Sequence, residues 1–491
     1  MRKNFITNLV FLLLLNLVVK PLWILGVDRT VQNTVGPEVY GMYFALFNFS
    51  FLFQVILDFG INNYINRQVA MQPERLSDML FSALGAKLLL GLLYTAILFL
   101  SAYGIGFNGT QIHLLIGLAI LQICMSFYAF FRSNIAALQL FKTDAVLSVL
   151  DKAITSILCG AVLLGYTGSM HMDIALFIGI QITGYVFAIA VACIILFGRR
   201  IPIHLRMQKE LVRKIIRNAL PYALLGFLMT AYYRIDGVML ERLLGAQGDY
   251  QAGIYASAFR LLDALNIIGF LFAGILMPMF SRMLGQQQDI KPLLELGFRM
   301  MLIFCVPAGI TCIFFRNDIM TLLYVQGDMY SASILGWLMV SFICISITYI
   351  YGSLLTAHGS IHILNYISFA GIAMNTILNF ILIPKMLALG SAITTVATQV
   401  LILLVHIAIT QRIFAIGPEW KKWMRVIAYT GLVIAVGYLG STLHLPALFA
   451  FLAVGILSFA LAFPVGLFHF SELRSFIGGM VRKGSTEANS D

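Results

Sequence analysis

The sequence predicts an all-α polytopic membrane protein of about 14 transmembrane helices, arranged as two six-helix parallel repeats plus two C-terminal helices. Composition, the length of the apolar runs and an internal duplication support this prediction. With 60% hydrophobic and 11% charged residues, the 491-residue chain cannot cover itself with a soluble surface. The runs are too long and too uniform for barrel strands, and a helix satisfies its own backbone hydrogen bonds in lipid.

The apolar runs repeatedly reach the roughly 20 residues that a helix needs to cross a bilayer. Short polar segments separate them, and every segment on the predicted outer side is too short to hold a catalytic domain. The predicted spans are residues 5–27, 42–66, 80–103, 112–131, 145–166, 174–197, 218–241, 252–281, 296–315, 331–356, 361–383, 388–411, 424–442 and 446–469.

The first part of the chain recurs in the second. Asp28 precedes Gly41-Met-Tyr43, and Asp236 precedes Gly253-Ile-Tyr255, which lies 212 residues after the first triplet. Since each copy has an even number of spans, both insert the same way up, related by an axis along the membrane normal. Duplicated membrane proteins usually hold a substrate between their copies, which indicates transport.

The net charge of +11 reflects membrane topology. Four of the 32 Lys and Arg residues fall in outer loops: Arg29, Arg242, Arg316 and Lys385. Four more are assigned to spans: Lys20, Lys87, Arg234 and Arg260. If the N-terminus is cytoplasmic, the other 24 lie on the inner side, as the positive-inside rule requires. We therefore expect cytoplasmic termini and no nucleic-acid partner.

The repeats define a domain organisation. We expect an N-terminal six-helix lobe at 1–198, a C-terminal six-helix lobe at 218–412, transmembrane helices 13 and 14 at 413–470, and a cytoplasmic tail at 471–491. Between the lobes, residues 199–217 form a basic amphipathic linker. This linker is expected as a short helix on the anionic inner leaflet, where it acts as a topology anchor or recognises lipid.

The six cysteines all fall inside spans, without a CxxC pair or histidines at ligand spacing. This pattern favours small packing residues over a disulfide framework or a zinc site. The sequence thus predicts no cofactor and no metal site, apart from a coupling role for Na⁺ or H⁺ that it leaves open.

Charged residues at membrane depth are the candidate site residues, since each costs about 2.5–3.5 kcal/mol to insert. They fall in the first two helices of each repeat, where the pseudo-two-fold would bring them to a central cleft. The cations proposed to bind substrate are Lys20, Arg234 and Arg260, and the carboxylates proposed for ion coupling or charge pairing are Asp58, Asp236 and Asp263. Such a cleft, with a cationic bias, suits a pyrophosphate or another acidic headgroup.

Structural alternatives exist for four of these residues. Arg260 and Asp263 share a helix face, so they can form a purely structural ion pair. Arg234 and Lys20 lie near the outer ends of their spans and can instead extend to the interface by snorkelling.

Two further charges lie near the inner face. Lys87 stands one to two turns from the inner end of its span and is expected to snorkel, so it is left out of the site. Asp58, in Leu57-Asp58-Phe59-Gly60, either takes a proton or a sodium ion or caps the helix break that Gly60 introduces.

Two stretches resemble a known family. LPYALLGFLMTAYYRIDGVMLERLLG, followed by AGIYASAFRLLDALNIIGFLFAGILMPMFSR, is similar to the seventh and eighth helices of the polysaccharide exporter branch of the MOP superfamily, the Wzx-type O-antigen and capsule flippases. The segment from LGVDRT to NRQVA resembles that family's opening helix pair. The resemblance implies a MOP/MATE-like fold. It also implies translocation of undecaprenyl-pyrophosphate-linked oligosaccharide across a bacterial inner membrane by alternating access, with other polysaccharide export proteins as candidate partners.

Other functions remain open. A cation-coupled drug antiporter of the related MATE branch fits an acid-lined cleft, whereas 14 spans and cleft cations count against it. A lipid II flippase is disfavoured because its signatures are missing from the first helix pair. A membrane glycosyltransferase or ligase, the enzyme alternative, needs a large outer loop or a catalytic acid cluster, and neither appears in the sequence.

Overall fold

The computed structural model describes residues 15–62, 65, 69, 76–166, 171–198, 209–417, 420–443 and 446–467. Over these residues the chain is helical, and no strand occurs among them. The predicted cytoplasmic tail and the first half of the basic linker lie outside the described residues.

The helices occupy nearly all of the predicted spans. In chain order they are α1 (residues 15–35), α2 (Pro37–Leu52), α3 (Leu76–Ile105), α4 (Gly109–Ala137), α5 (Phe141–Leu163), α6 (Ile174–Phe197), α7 (Lys209–Leu243), α8 (Gly248–Gly285), α9 (Lys291–Phe314), α10 (Arg316–Leu323), α11 (Met329–His358), α12 (Ile361–Met386), α13 (Ala388–Ile413), α14 (Trp420–Thr442) and α15 (Ala447–Ala460).

The fold class predicted from the sequence is confirmed. Among the described residues, ten helices are long and apolar enough to cross a membrane, and α15 is a shorter apolar helix. Helices α1 to α9 match the first nine predicted spans, and α11 to α15 match the last five. The extra helix α10 has only eight residues, too few to cross a bilayer.

Local capping chemistry sets several helix ends. Asn108 and Gln111 form a capping box that starts α4. Asp328 and Ser331 do the same for α11, which ends where Gly359 adopts a left-handed conformation with φ of 85°. These side chains satisfy backbone groups that the helix termini leave without intrahelical partners.

The linker prediction requires a correction. Helix α7 begins at Lys209 and runs without a break to Leu243, a length of about 52 Å at 1.5 Å per residue. Residues 209–217 are therefore the first turns of the seventh helix and not a separate short helix. The continuous pattern of strong helix formers, including Glu210, Leu211 and Arg213, gives the helix no reason to stop there. The lobe boundaries stay a prediction.

The chain forms two compact units. The large unit comprises residues 8–260 and 361–391. Within it, α7 packs against α2 and α12, and α6 packs against α4 and α5. A core of Phe49, Tyr94, Leu98, Leu115 and Val238 joins α2, α3, α4 and α7. Because α2 and α7 belong to different predicted repeats, this unit contains the contact between them.

The small unit comprises the described residues within 261–360 and 392–467. In its described part, α9 packs against α11, α14 and α15, while α10 packs on α11. Phe315, Ala450 and Val454 form a buried cluster between the end of α9 and α15. The C-terminal helix pair thus adds to the packing around α9.

Candidate functional site

The centre of the candidate site is an ion pair between the repeats. Arg260 Nε on α8 lies 2.7 Å from Asp28 Oδ2 on α1, and both side chains are almost fully buried. The Tyr40 hydroxyl on α2 donates to the same Asp28 oxygen at 2.8 Å and accepts from Arg260 Nε at 3.0 Å. Removing one partner of such a buried pair costs about 3–5 kcal/mol, because the other charge stays buried without compensation.

The backbone of α1 and the turn after it place Asp28 at this point. Trp23–Asp28 is a π-helical stretch that ends at the carboxylate, and single turns of π-helix are frequent at functional sites. Gly36 then reverses the chain with φ of 83°, a conformation that a residue with a Cβ rarely adopts. The reversal brings Tyr40 back alongside Asp28.

Two equivalent glycines let the repeats touch. A Cβ on Gly41 would lie 1.8 Å from the carbonyl oxygen of Asp249, and a Cβ on Gly253 would lie 1.9 Å from that of Pro37. Both pairs are related by the same 212-residue offset, so the contact is symmetric. Gln32 strengthens it by donating from Nε2 to the Gly253 carbonyl at 2.9 Å. The starts of α2 and α8 therefore pack backbone to backbone.

Aromatic rings surround the two arginines beside this crossing. The Arg260 guanidinium carbon lies 5.6 Å from the centre of the Phe44 ring. That of Arg234 lies 5.4 Å from both Phe51 and Phe259, and Phe44 and Phe259 contact each other with centroids 5.8 Å apart. Arg234 thus interacts with rings of α2 and α8 inside the unit, which favours the site over the snorkelling alternative.

Asp236 is the counterpart of Asp28 in the second repeat. It is 1% exposed and accepts from the Tyr255 hydroxyl at 2.9 Å and from Asn379 Nδ2 at 2.7 Å. Asn379 also donates to Asn375 Oδ1 at 3.0 Å. Each repeat therefore holds a buried carboxylate that accepts from a tyrosine of its next helix, and in the second repeat the Asn379 amide donates to the carboxylate as well.

Lys20 lies in a second group of charges, within the N-terminal helices. Arg132, Asp151 and Lys152 are within electrostatic range of its ammonium group. Lys152 Nζ lies 3.6 Å from Asp151 and 4.9 Å from the centre of the Trp23 ring. Lys20 therefore faces charged residues of α4 and α5, and its role in substrate binding stays a prediction.

The predicted position of Lys152 requires a correction. The charge pattern of the sequence placed this residue among the 24 cations on the inner side. It lies in the middle of α5, a helix long and apolar enough to span a membrane. Aromatic rings of Trp23 and Tyr185 and the neighbouring carboxylate of Asp151 accommodate its charge there. The apolar pattern on both sides of Lys152 was the available signal.

Lys87 also departs from its prediction. Its side chain is 1% exposed and does not snorkel. Lys87 Nζ lies 3.3 Å from Asp58 Oδ1 and donates to the Leu57 carbonyl at 3.0 Å. The ammonium group therefore finds its acceptors inside the bundle and not at the membrane interface. Asp58 also accepts from the Asn62 backbone N–H at 3.3 Å, where Phe59 and Gly60 adopt positive φ. This geometry supports the capping role of Asp58, while its ion-coupling role stays a prediction.

Sequence reasoning missed Asp28 as a site residue, although it had placed Asp28 in the repeat. Asp28 was left out of the predicted site because it lies just beyond residue 27, the predicted end of the first span. Asp263 lies one helical turn beyond Arg260 on α8, and the proposed pairing of these two residues stays a prediction. The recurrence of a carboxylate before each Gly-x-Tyr triplet was the signal that could have identified Asp28.

The arrangement suits anion binding. Guanidinium groups with aromatic walls bind phosphate oxygens through paired N–H donors, in surroundings that exclude water and so strengthen the interaction. Among the described residues, no group of three or more His, Cys, Asp or Glu side chains could hold a metal ion.

The sequence over residues 5–284 matches a family described as polysaccharide biosynthesis protein. The chain belongs to the polysaccharide biosynthesis protein family. The matched region includes α1, α2, α7 and α8, and so contains the Arg260–Asp28 pair, both glycines of the crossing and Asp236. The resemblance identified in the sequence is confirmed at this level.

One sequence relative and two solved structures resemble most of the chain. An uncharacterized membrane protein of Methanocaldococcus jannaschii is 24% identical over 433 residues, which are 80% of this chain and 82% of that protein. The solved structure of the lipid II flippase MurJ in an inward closed conformation gives a TM-score of 0.66 at 15% identity, over 93% of this chain and 97% of MurJ. An inward-facing MATE-family multidrug resistance transporter of the MOP superfamily gives a TM-score of 0.64 at 15% identity, over 83% of this chain and 96% of that transporter. At these identities the two structures establish a shared fold.

The glycine crossing makes a prediction about stability. Gly41→Ala forces its Cβ against the Asp249 carbonyl, so we expect a loss of about 1–3 kcal/mol from overpacking, with a lower thermal unfolding temperature in detergent. Gly91→Ala, in the middle of α3 with nothing within 4 Å of its Cβ, is the matched control and should be neutral or slightly stabilising. Equal effects of both substitutions would contradict the crossing.

The ion pair makes a second prediction. Asp28→Asn and Arg260→Gln should each lower stability by about 3–5 kcal/mol, and the double variant should lose clearly less than their sum because no charge remains unpaired. Thermal unfolding of the wild type, the two single variants and the double variant completes this double-mutant cycle. Arg132→Gln with Asp144→Asn provides the control pair, since that pair is partly exposed and should couple more weakly. Additive losses for Asp28 and Arg260 would show that the two side chains do not depend on each other.

Proposed function

We propose that this family member is a flippase that moves an undecaprenyl-pyrophosphate-linked oligosaccharide, a polysaccharide repeat unit, from the inner to the outer leaflet by alternating access. In this proposal the protein acts as a transporter and not as an enzyme. Its family and the related fold of the lipid II flippase MurJ and MATE transporters support this proposal. In the proposed setting it lies in a bacterial cytoplasmic (inner) membrane with both termini in the cytoplasm.

The observation that carries the proposal is the buried Arg260–Asp28 pair between the two repeats. A pyrophosphate, like the Asp28 carboxylate, presents anionic oxygens, and arginine can bind either group bidentately. An incoming lipid-linked pyrophosphate can therefore replace Asp28 on Arg260. The exchange removes the contact between Arg260 on α8 and Asp28 on α1, and so couples substrate binding to opening at the neighbouring glycine crossing.

In the proposed cycle the two predicted lobes at 1–198 and 218–412 move as rigid bodies and separate at this contact. In the predicted topology the glycine crossing lies at the outer ends of α2 and α8, and this is the end that opens in the proposed cycle. Substrate enters from the inner side, Lys20, Arg234 and Arg260 hold the pyrophosphate, and the sugars occupy the cleft. The lipid tail stays in the bilayer, because its transfer into water would be unfavourable.

The carboxylates supply the proposed return step. Asp236, held by Tyr255 and Asn379, is the leading candidate to exchange H⁺ or Na⁺, because a buried carboxylate changes its charge when it binds either. Asp58 and Asp263 are the proposed accessory charge pairs. No nucleic acid takes part, and the proposed partners are the lipid-linked oligosaccharide, membrane lipids and other polysaccharide export proteins.

One specific observation favours a second candidate, a cation-coupled multidrug antiporter. MATE transporters share the fold, and Asp236 with its amide neighbours could bind a coupling cation. The buried cations of the first site favour an anionic substrate and therefore the flippase. A lipid II flippase and a membrane glycosyltransferase or ligase rank below both.

Complementation tests the proposal. In a strain that lacks its own oligosaccharide flippase, the wild-type protein should restore surface polysaccharide. Arg260→Ala and Lys20→Ala should each lower export by about ten- to hundredfold, the loss expected for one charge-assisted contact. Export is measured as labelled polysaccharide at the cell surface, and immunoblots of the membrane fraction confirm that each variant is present.

Arg282→Ala is the matched control, since it removes an exposed arginine near the end of the same helix as Arg260 and should leave export unchanged. Full export by both site variants would contradict the site assignment. Drug resistance in place of polysaccharide export, in cells with the wild-type protein, would favour the antiporter.

A further inference from the structure

A cavity lies in the small unit, and none of its lining residues belongs to the charged set proposed for substrate binding or ion coupling. Its volume is about 140 Å³. The charged and aromatic residues that line it are Glu295, Phe298, Arg299, Tyr351, Trp423 and Arg425. All of its lining residues belong to this one compact unit, whereas the Arg260–Asp28 pair belongs to the large unit.

The cavity lies where helix ends from one side of the membrane converge. Its lining comes from the first turns of α9 and α14, the last turns of α11 and α13, and the turn after α15. Since consecutive spans alternate in direction, all five of these ends belong to the same face of the bilayer. The cavity is therefore at headgroup depth, which is the inner face in the predicted topology.

The charge of the lining favours an anion. Arg299 and Arg425 contribute two positive charges, and Glu295 contributes one negative charge. The net lining charge of +1 matches the single negative charge of a phosphodiester. Guanidinium groups between transmembrane helices at this depth are the usual receptors for anionic lipid headgroups.

The rest of the lining suits the upper part of an acyl chain. The Phe298 ring lies 6.3 Å from Tyr351 and 5.9 Å from Trp423, centroid to centroid, so the three rings form one wall. Next to the cavity on α14, Trp420, Met424 and Ile427 are more than 60% exposed, which is typical of a lipid-facing surface. A headgroup in the cavity can therefore keep its chains in the membrane.

A hydroxyl group in the wall adds an independent observation. Thr410 lines the cavity and is fully buried, and its Oγ1 has no hydrogen-bond partner in the described part of the chain. A buried polar group without a partner costs about 1–3 kcal/mol, so such groups are normally satisfied by a ligand or water. A phosphate or glycerol oxygen would satisfy this hydroxyl.

We propose that this cavity binds an anionic phospholipid of the surrounding bilayer, with the phosphodiester at Arg299 and Arg425 and the acyl chains along α14. The bound lipid bridges α9, α11, α13 and α14, and so stabilises the small unit. A zwitterionic lipid binds less tightly, because its ammonium group removes the net charge that the lining neutralises.

The test uses the purified full-length protein and phosphatidylglycerol, phosphatidylethanolamine and phosphatidylcholine. Native mass spectrometry counts the lipid retained by each protein, and thermal unfolding measures the accompanying stabilisation. Wild type should retain phosphatidylglycerol in preference to the two zwitterionic lipids. The Arg299→Gln/Arg425→Gln double variant should lose about 30-fold in affinity for phosphatidylglycerol, and each single variant about fivefold.

Arg412→Gln is the control, because it removes an exposed charge from the same end of α13 without touching the cavity lining. It should bind phosphatidylglycerol as wild type does. Thr410→Val keeps the side-chain shape, removes the hydroxyl and should weaken binding by a few-fold. Glycerol phosphate without acyl chains should not compete. The proposal is overturned by equal retention of all three lipids, by wild-type binding in the double and single arginine variants, or by competition from glycerol phosphate.

Discussion

The close approach of α2 and α8 at Gly41 and Gly253 is the constraint on which the candidate site depends. Side chains at either position would separate the helices, because an added Cβ would lie 1.8 or 1.9 Å from a carbonyl oxygen. With glycine at both, the backbones meet, and Arg260 on α8 comes within 2.7 Å of Asp28 on α1. One packing feature thus fixes the distance between charges that belong to different repeats.

Buried charge gives this contact its capacity to respond to a ligand. A guanidinium and a carboxylate in an apolar bundle stabilise each other only while they stay together. Apolar packing alone offers a pyrophosphate nothing to compete for, whereas an ion pair can exchange one anion for another. The duplication contributes the second half of the arrangement, because Asp236 and Tyr255 repeat the pairing of Asp28 and Tyr40, and the Asn379 amide also donates to Asp236.

Much of the fold could be predicted from the sequence, because hydropathy fixes where helices cross a bilayer and the Gly-x-Tyr recurrence reveals the repeat. The identity of charge partners could not. Asp28 stood beyond a predicted span, and its pairing depends on an approach of helices more than 200 residues apart in sequence. Lys87 was predicted to reach the interface because it stands one to two turns from the inner end of its span, and the sequence does not show that Leu57 and Asp58 lie close enough to accept from it. Spacing along one helix therefore identified candidate charges but not their partners.

The most direct test measures the distance between the starts of α2 and α8 during transport. Spin labels at Val39 and Tyr250, both exposed, report this distance by double electron–electron resonance in a variant whose six cysteines are replaced. We expect one short distance in the protein alone and a second, longer population when a lipid-linked oligosaccharide pyrophosphate is added. A single short distance under both conditions, in protein that still transports its substrate, would contradict the proposed opening at the glycine crossing.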